Sequence, residues 1–147
     1  MGIDPETTMT VSEGTGASNA TVSVLVVDDQ SPFRAAARAV VARVSGFELV
    51  AEAESGEDAV ALCATIHPDL VLMDINMGEM DGIEATRLIT AADPRTLVVL
   101  VSTYDLDDLP PSARTSGAAA YLNKDELSPR AVRRLWEGRG DPLFAAS

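Results

Sequence analysis

The stretch Leu70-Val71-Leu72-Met73-Asp74-Ile75-Asn76-Met77-Gly78-Glu79-Met80-Asp81-Gly82 decides the fold. Its first four residues are apolar without alternation, the pattern of a strand covered on both faces, as central parallel strands are. The run ends on a carboxylate. Ligands of open parallel sheets bind just beyond the carboxyl ends of the strands, so Asp74 is the first candidate for chemistry. Gly78 and Gly82 then turn the chain into residues 83–89, whose apolar spacing predicts a helix lying on the sheet.

Upstream, Val22-Ser23-Val24-Leu25-Val26-Val27 is β-branched and mostly apolar, and this strand too stops on acid, at Asp28 and Asp29. Ser31 as N-cap with Pro32 in the first helical position predicts a helix over 33–44, ended by Gly46. Residues 47–51 read as a second strand and 57–66 as a second helix, closed by His67-Pro68-Asp69. Downstream, 96–101 is a fourth apolar strand ending at Ser102-Thr103, and 117–122 a fifth ending at Asn123-Lys124. Between them a helix is expected within 107–116. Pro110-Pro111 fall in its first turn, which predicts a helix that is short or late, and flexible or displaced. The last helix starts either at a Ser128-Pro129 cap or near Glu126, and carries Ala131, Val132, Leu135 and Trp136.

Strand and helix thus alternate five times. With right-handed crossovers such a chain makes a doubly wound (βα)5 α/β fold, a five-stranded parallel sheet of order 2-1-3-4-5 with helices on both faces. That order puts the first and third strands side by side, so Asp28, Asp29 and Asp74 share one rim. Clustered carboxylates repel unless a cation joins them, and a hard, small cation suited to oxygen ligands points to Mg2+. Ser102 and Lys124 end neighbouring strands on the same rim, a hydroxyl and an ammonium placed to hold a tetrahedral anion. Phosphoryl transfer onto Asp74 would yield an acyl phosphate, a labile product suited to a switch.

Composition sets the outer bounds. The 147 residues suffice for one good core, expected over 21–138, with 1–20 a disordered leader or tag and 139–147 a short tail. A net charge of −12 and a pI near 4.3 argue against direct nucleic-acid or membrane partners. The single cysteine, Cys63, and the lack of a long apolar run make a cytoplasmic protein the default. His67 reads as a helix-end residue, Met73, Met77 and Met80 as packing and loop residues, and Trp136 as packing.

Taken together, Val26-Val27-Asp28-Asp29, Leu72-Met73-Asp74, Asn76-Met77 with Met80-Asp81-Gly82, Val101-Ser102, and Gly117-Ala118 with Tyr121-Leu122-Asn123-Lys124 carry a resemblance. Over residues 22–137 the chain resembles the response-regulator receiver domain of two-component signalling, with local wording most similar to receivers of the helix-turn-helix subfamily. The resemblance implies Asp74 as acceptor of a phosphoryl group from a histidine kinase or phosphotransfer protein. It implies Asp28, Asp29, Asp74 and the backbone carbonyl of Asn76 as Mg2+ ligands, Ser102 and Tyr121 as switch residues, and Lys124 as the phosphoryl's cationic partner. It further implies switched binding of a downstream protein partner or a role as phosphate sink, a phosphorylation-dependent homodimer among the possibilities, and a signalling protein that catalyses only its own phosphorylation and dephosphorylation.

Three features depart from the usual pattern. Gly78 stands where most receivers have proline, which should loosen the loop. Asp125 follows Lys124 where many have proline, and Pro110-Pro111 disturb the fourth helix. These motivate an alternative, a phosphorylation-independent interaction module on the same fold. A second alternative, a small phosphate-ester hydrolase, lacks a carboxylate at the phosphoacceptor-plus-two position, where Asn76 stands.

Overall fold

The computed structural model describes residues 21–139. The leader expected over 1–20 and the tail from 140 onward lie outside the described residues. In chain order the elements are β1 (Val22–Val27), α1 (Ser31–Ala42), β2 (Phe47–Ala53), α2 (Gly56–Ile66), β3 (Leu70–Asp74), α3 (Gly82–Ala92), β4 (Leu97–Ser102), α4 (Pro111–Arg114), β5 (Ala120–Asn123) and α5 (Pro129–Glu137). Short 3-10 turns at Leu106–Asp108 and Lys124–Glu126 flank β5 and α4. The sheet is wholly parallel in the order β2-β1-β3-β4-β5, the expected doubly wound arrangement.

The unalternating apolar runs have a direct cause. Successive side chains of a strand point to opposite faces, and here both faces are covered. Leu25, Val27, Val71 and Met73 pack under α2, α3 and α4, whereas Val24, Val26, Leu70 and Leu72 pack under α1 and α5. All five residues of β3 are buried, the carboxylate of Asp74 included. Cys63 is a free thiol on the α2 side, and burial pushes it up to about 11, well out of the reactive range.

Local signals placed most helix ends. Ser55, Asp81 and Ser128 each accept a backbone N–H from the first turn of α2, α3 and α5. His67 closes α2 in the left-handed region at φ 47°. The start of α1 differs from expectation: Gln30, not Ser31, is the N-cap residue, and Pro32 is the second helical residue. Asp28 explains the shift, because its Oδ1 accepts the Gln30 N–H at 2.8 Å and so organises the turn that Ser31 was expected to cap. β2 also runs two residues further than expected, to Ala53, whose carbonyl accepts the Asp28 N–H at 3.0 Å.

The proline pair acts as anticipated on length. Pro110 precedes the helix, Pro111 opens it, and α4 comprises a single turn over Pro111–Arg114. At Gly78 the structure sharpens the expectation. Its φ of +42° lies in the left-handed region, so a proline, fixed at about −65°, could not replace it without rebuilding the loop.

Candidate metal and phosphoryl site

β1 and β3 are adjacent in the sheet, and their carboxyl ends bring three acids together. One carboxylate oxygen from each of Asp28, Asp29 and Asp74 lies within 4.8 Å of the others. Asp28 is fully buried and Asp74 nearly so, while Asp29 is exposed. At such spacing each like-charged pair opposes the arrangement by about 3–4 kcal/mol at an effective dielectric of about 20.

The loop after Asp74 is pinned from the other side. Gly82 donates its N–H to the Ile75 carbonyl at 2.8 Å, and a Cβ there would fall 1.9 Å from the Asp74 carbonyl oxygen. Only glycine allows that approach. It explains why the glycine opening α3 follows the candidate acid so closely in sequence.

β5 supplies the counter-charge. The Lys124 ammonium donates to Asp28 Oδ2 at 2.6 Å and lies 3.4 Å from Asp74 Oδ1. It also sits 4.5 Å from the centroid of the Phe33 ring, which comes from the first turn of α1. Burial opposes the lysine's charge, but the hydrogen bond to Asp28 and the nearby Asp74 and Asp28 carboxylates outweigh it and raise its pKa. For Asp74 the balance goes the other way. Burial and then the charge of Asp28 push its carboxyl up from 3.8 to about 6, against the pull of Lys124. Among the described residues, the three carboxylates outnumber the Lys124 ammonium that reaches them, so the cluster carries excess negative charge.

Ser102, Asn76 and Lys124 line a cavity of about 200 Å³ together with Asp29 and Asp74. The buried Ser102 hydroxyl accepts the Tyr104 N–H at 3.1 Å, which ties the end of β4 to the loop beyond it. Half-buried Tyr121 donates its hydroxyl to the Ser102 carbonyl at 3.2 Å and closely to the Tyr104 carbonyl. The structure therefore gathers Asp28, Asp29, Asp74, Asn76, Ser102 and Lys124 at one rim, with Tyr121 joined to it through the β4 end.

Two participants were missed in the sequence reading, Phe33 and Arg34. Arg34 donates to the Asp28 carbonyl at 2.8 Å and lies 3.4 Å from Glu52, locking the α1 turn to the acid-bearing strand end. Both residues looked like ordinary members of an amphipathic helix. Their only signal is a position five and six residues after the buried acid, within one turn of it in space.

The donor set fits a divalent cation on its own chemistry: clustered hard carboxylate oxygens, an excess of negative charge among the described residues and an adjoining polar cavity. An open, doubly wound parallel sheet with polar side chains gathered at the carboxyl ends of its strands defines a class of α/β protein that binds its ligands at that rim. The chain belongs to the response regulator receiver domain family, which it matches over residues 24–135. It is 35% identical over 121 residues to the response regulator GacA of Pseudomonas aeruginosa, covering 80% of this chain and 56% of that relative. It thus spans about half the length of the curated relatives it matches. Among solved structures it is similar to the receiver domain of the putative response regulator NarL from Mycobacterium tuberculosis, at TM-score 0.72 and 30% identity over 82% of this chain and 99% of that one. It is also similar to a chain of the CheX-CheY-BeF3-Mg complex from Borrelia burgdorferi, at TM-score 0.72 and 26% identity over 81% and 89%. This is a family of signalling proteins, and no helix among the described residues is long and apolar enough to cross a membrane.

Proposed function

We propose that Asp74 is the phosphoacceptor of a two-component relay, loaded by a histidine kinase or phosphotransfer protein in the cytoplasm. The observation that carries this reading is the uncompensated acid cluster with Lys124 reaching across it. In the transfer, an Asp74 carboxylate oxygen attacks the phosphorus, the P–O bond forms as the bond to the donor histidine nitrogen breaks, and that nitrogen leaves with its electron pair. Asp28, Asp29, Asp74 and the Asn76 carbonyl would hold Mg2+, which neutralises charge on the phosphoryl oxygens.

Lys124, freed from Asp28, places its ammonium on one phosphoryl oxygen, and the Ser102 hydroxyl turns from the Tyr104 N–H to donate to another. Release of that N–H loosens the 103–105 loop, on which the Tyr121 hydroxyl also rests, so the readout is a rearranged β4–β5 surface. That surface would bind a downstream protein or a second phosphorylated copy. Beyond this self-reaction the protein is not assigned an enzymatic activity.

Beryllofluoride, a stable mimic of an aspartyl phosphoryl group, tests the site without dependence on adduct lifetime. With Mg2+ present, wild type should give a bound 19F signal and Asp74→Ala none. A bound signal in the variant would remove Asp74 from the role.

The single-turn α4 favours a second reading, a partner surface that acts without phosphate. A partner that bound Asp74→Ala as tightly as phosphorylated wild type would establish it.

A further inference from the structure

Among the described residues, Asp28, Asp74 and Phe33 lie against the Lys124 ammonium, and the two acids change state when the site is used. Asp28 at 2.6 Å and Asp74 at 3.4 Å are the carboxylates that a divalent cation and a phosphoryl group would claim. The third is the Phe33 ring, 4.5 Å from Nζ to centroid. Its face is negative through the ring quadrupole, its attraction for a cation persists whatever occupies the acids, and the site's burial strengthens it. The Lys124 side chain is only 13% exposed, so water competes weakly.

The ring is itself held in place. Phe33 packs against the buried cluster between the sheet, α1 and α5. Its neighbour Arg34 bonds to the Asp28 carbonyl, which fixes the first turn of α1 against the strand end. The platform is thus registered to the same backbone that carries the acids.

We propose that Phe33 is a positioning residue for phosphoryl transfer: its ring keeps the Lys124 ammonium poised over the site once a cation displaces it from Asp28. The proposal rests on the phosphoacceptor reading. Phe33 touches no reacting atom and acts through Lys124 alone.

The test replaces Phe33 with 3,4,5-trifluorophenylalanine, which keeps the shape and removes the negative face, alongside Phe33→Leu and Phe33→Trp. Two quantities are measured: the rate of phosphorylation by acetyl phosphate with Mg2+, and the Lys124 ε-methylene proton shift in unphosphorylated protein with and without Mg2+. The trifluoro and Leu proteins should be phosphorylated about 3–10-fold more slowly than wild type, and Phe33→Trp at or above the wild-type rate. In wild type the ε-methylene protons should lie upfield, shielded by the ring, both with and without Mg2+, and return to their ordinary position in Phe33→Leu. Equal rates for the trifluoro protein and wild type overturn the proposal, since fluorination leaves packing intact. So does an ordinary Lys124 resonance once Mg2+ is added. If wild type itself gains no phosphoryl mass, the phosphoacceptor reading falls, and the resonance alone decides: upfield with Mg2+ supports the placement by Phe33, ordinary overturns it.

Discussion

The two rims of the sheet use the same residue type for opposite ends. At the amino ends of the strands, Asp69 accepts the Ser23 N–H at 2.9 Å and the Ser23 hydroxyl at 3.1 Å, and donates its own N–H back to that hydroxyl at 2.9 Å. Asp93 there accepts from the Arg95 backbone and side chain, and the backbone bond foremost holds its carboxyl below the usual value. At the carboxyl ends, Asp74 is buried beside Asp28 and its carboxyl is pushed up instead. At the amino rim the acids are satisfied by partners within the fold, whereas at the carboxyl rim Asp74 stays in electrostatic conflict with its neighbours. The contrast sets Asp69 and Asp93 apart from Asp74, the phosphoacceptor proposed above, with no appeal to motif.

The largest effect should come from the structural rim. Asp69→Ala removes the acceptor of a backbone N–H and a hydroxyl in a partly buried setting, and should destabilise by about 2–3 kcal/mol in chemical denaturation. It should leave Mg2+ binding unchanged, and a stability equal to wild type would break the comparison.

At the other rim the sign reverses. Because the Asp74 carboxyl is raised from 3.8 to about 6, its ionisation costs stability: the penalty is absent below pH 4, grows through pH 4–6 and is complete above pH 6. Without divalent cations, Asp74→Asn should therefore be more stable than wild type by about 1–3 kcal/mol at pH 7, with the gain vanishing as pH falls below 4. A variant less stable than wild type at pH 7 would contradict the conflict described.

Mg2+ should remove the same penalty. Binding to the folded chain alone, at tenfold excess over the dissociation constant, would stabilise wild type by about 1.4 kcal/mol and should do much less for Asp28→Asn or Asp74→Asn. The smallest response belongs to Arg95→Ala, whose side chain is 90% exposed. Its unfolding midpoint should match wild type, because solvent already screens the ion pair with Asp93.

Much of this was legible in the sequence, and for a physical reason. A strand buried on both faces must be apolar throughout, so Val24 to Val27 and Leu70 to Met73 declared themselves, and the acids ending them fell at one rim by topology. The Ser128 cap was readable because capping is local. What escaped depends on distance in space. Ser31 lost its expected capping role because Asp28, three residues earlier, took over the turn. The Phe33 ring faces Lys124 from 91 residues away, where no local pattern reports it. The positive φ at Gly78 similarly belongs to the folded loop, since glycine itself permits either sign.

The most direct test of the central claim is intact mass after incubation with acetyl phosphate and Mg2+. Wild type should gain one phosphoryl group, with no gain in Asp74→Ala or in wild type stripped of divalent cations. A wild-type protein that binds beryllofluoride yet never gains that mass, even at early times, would contradict Asp74 as phosphoacceptor, as would an undiminished adduct in Asp74→Ala.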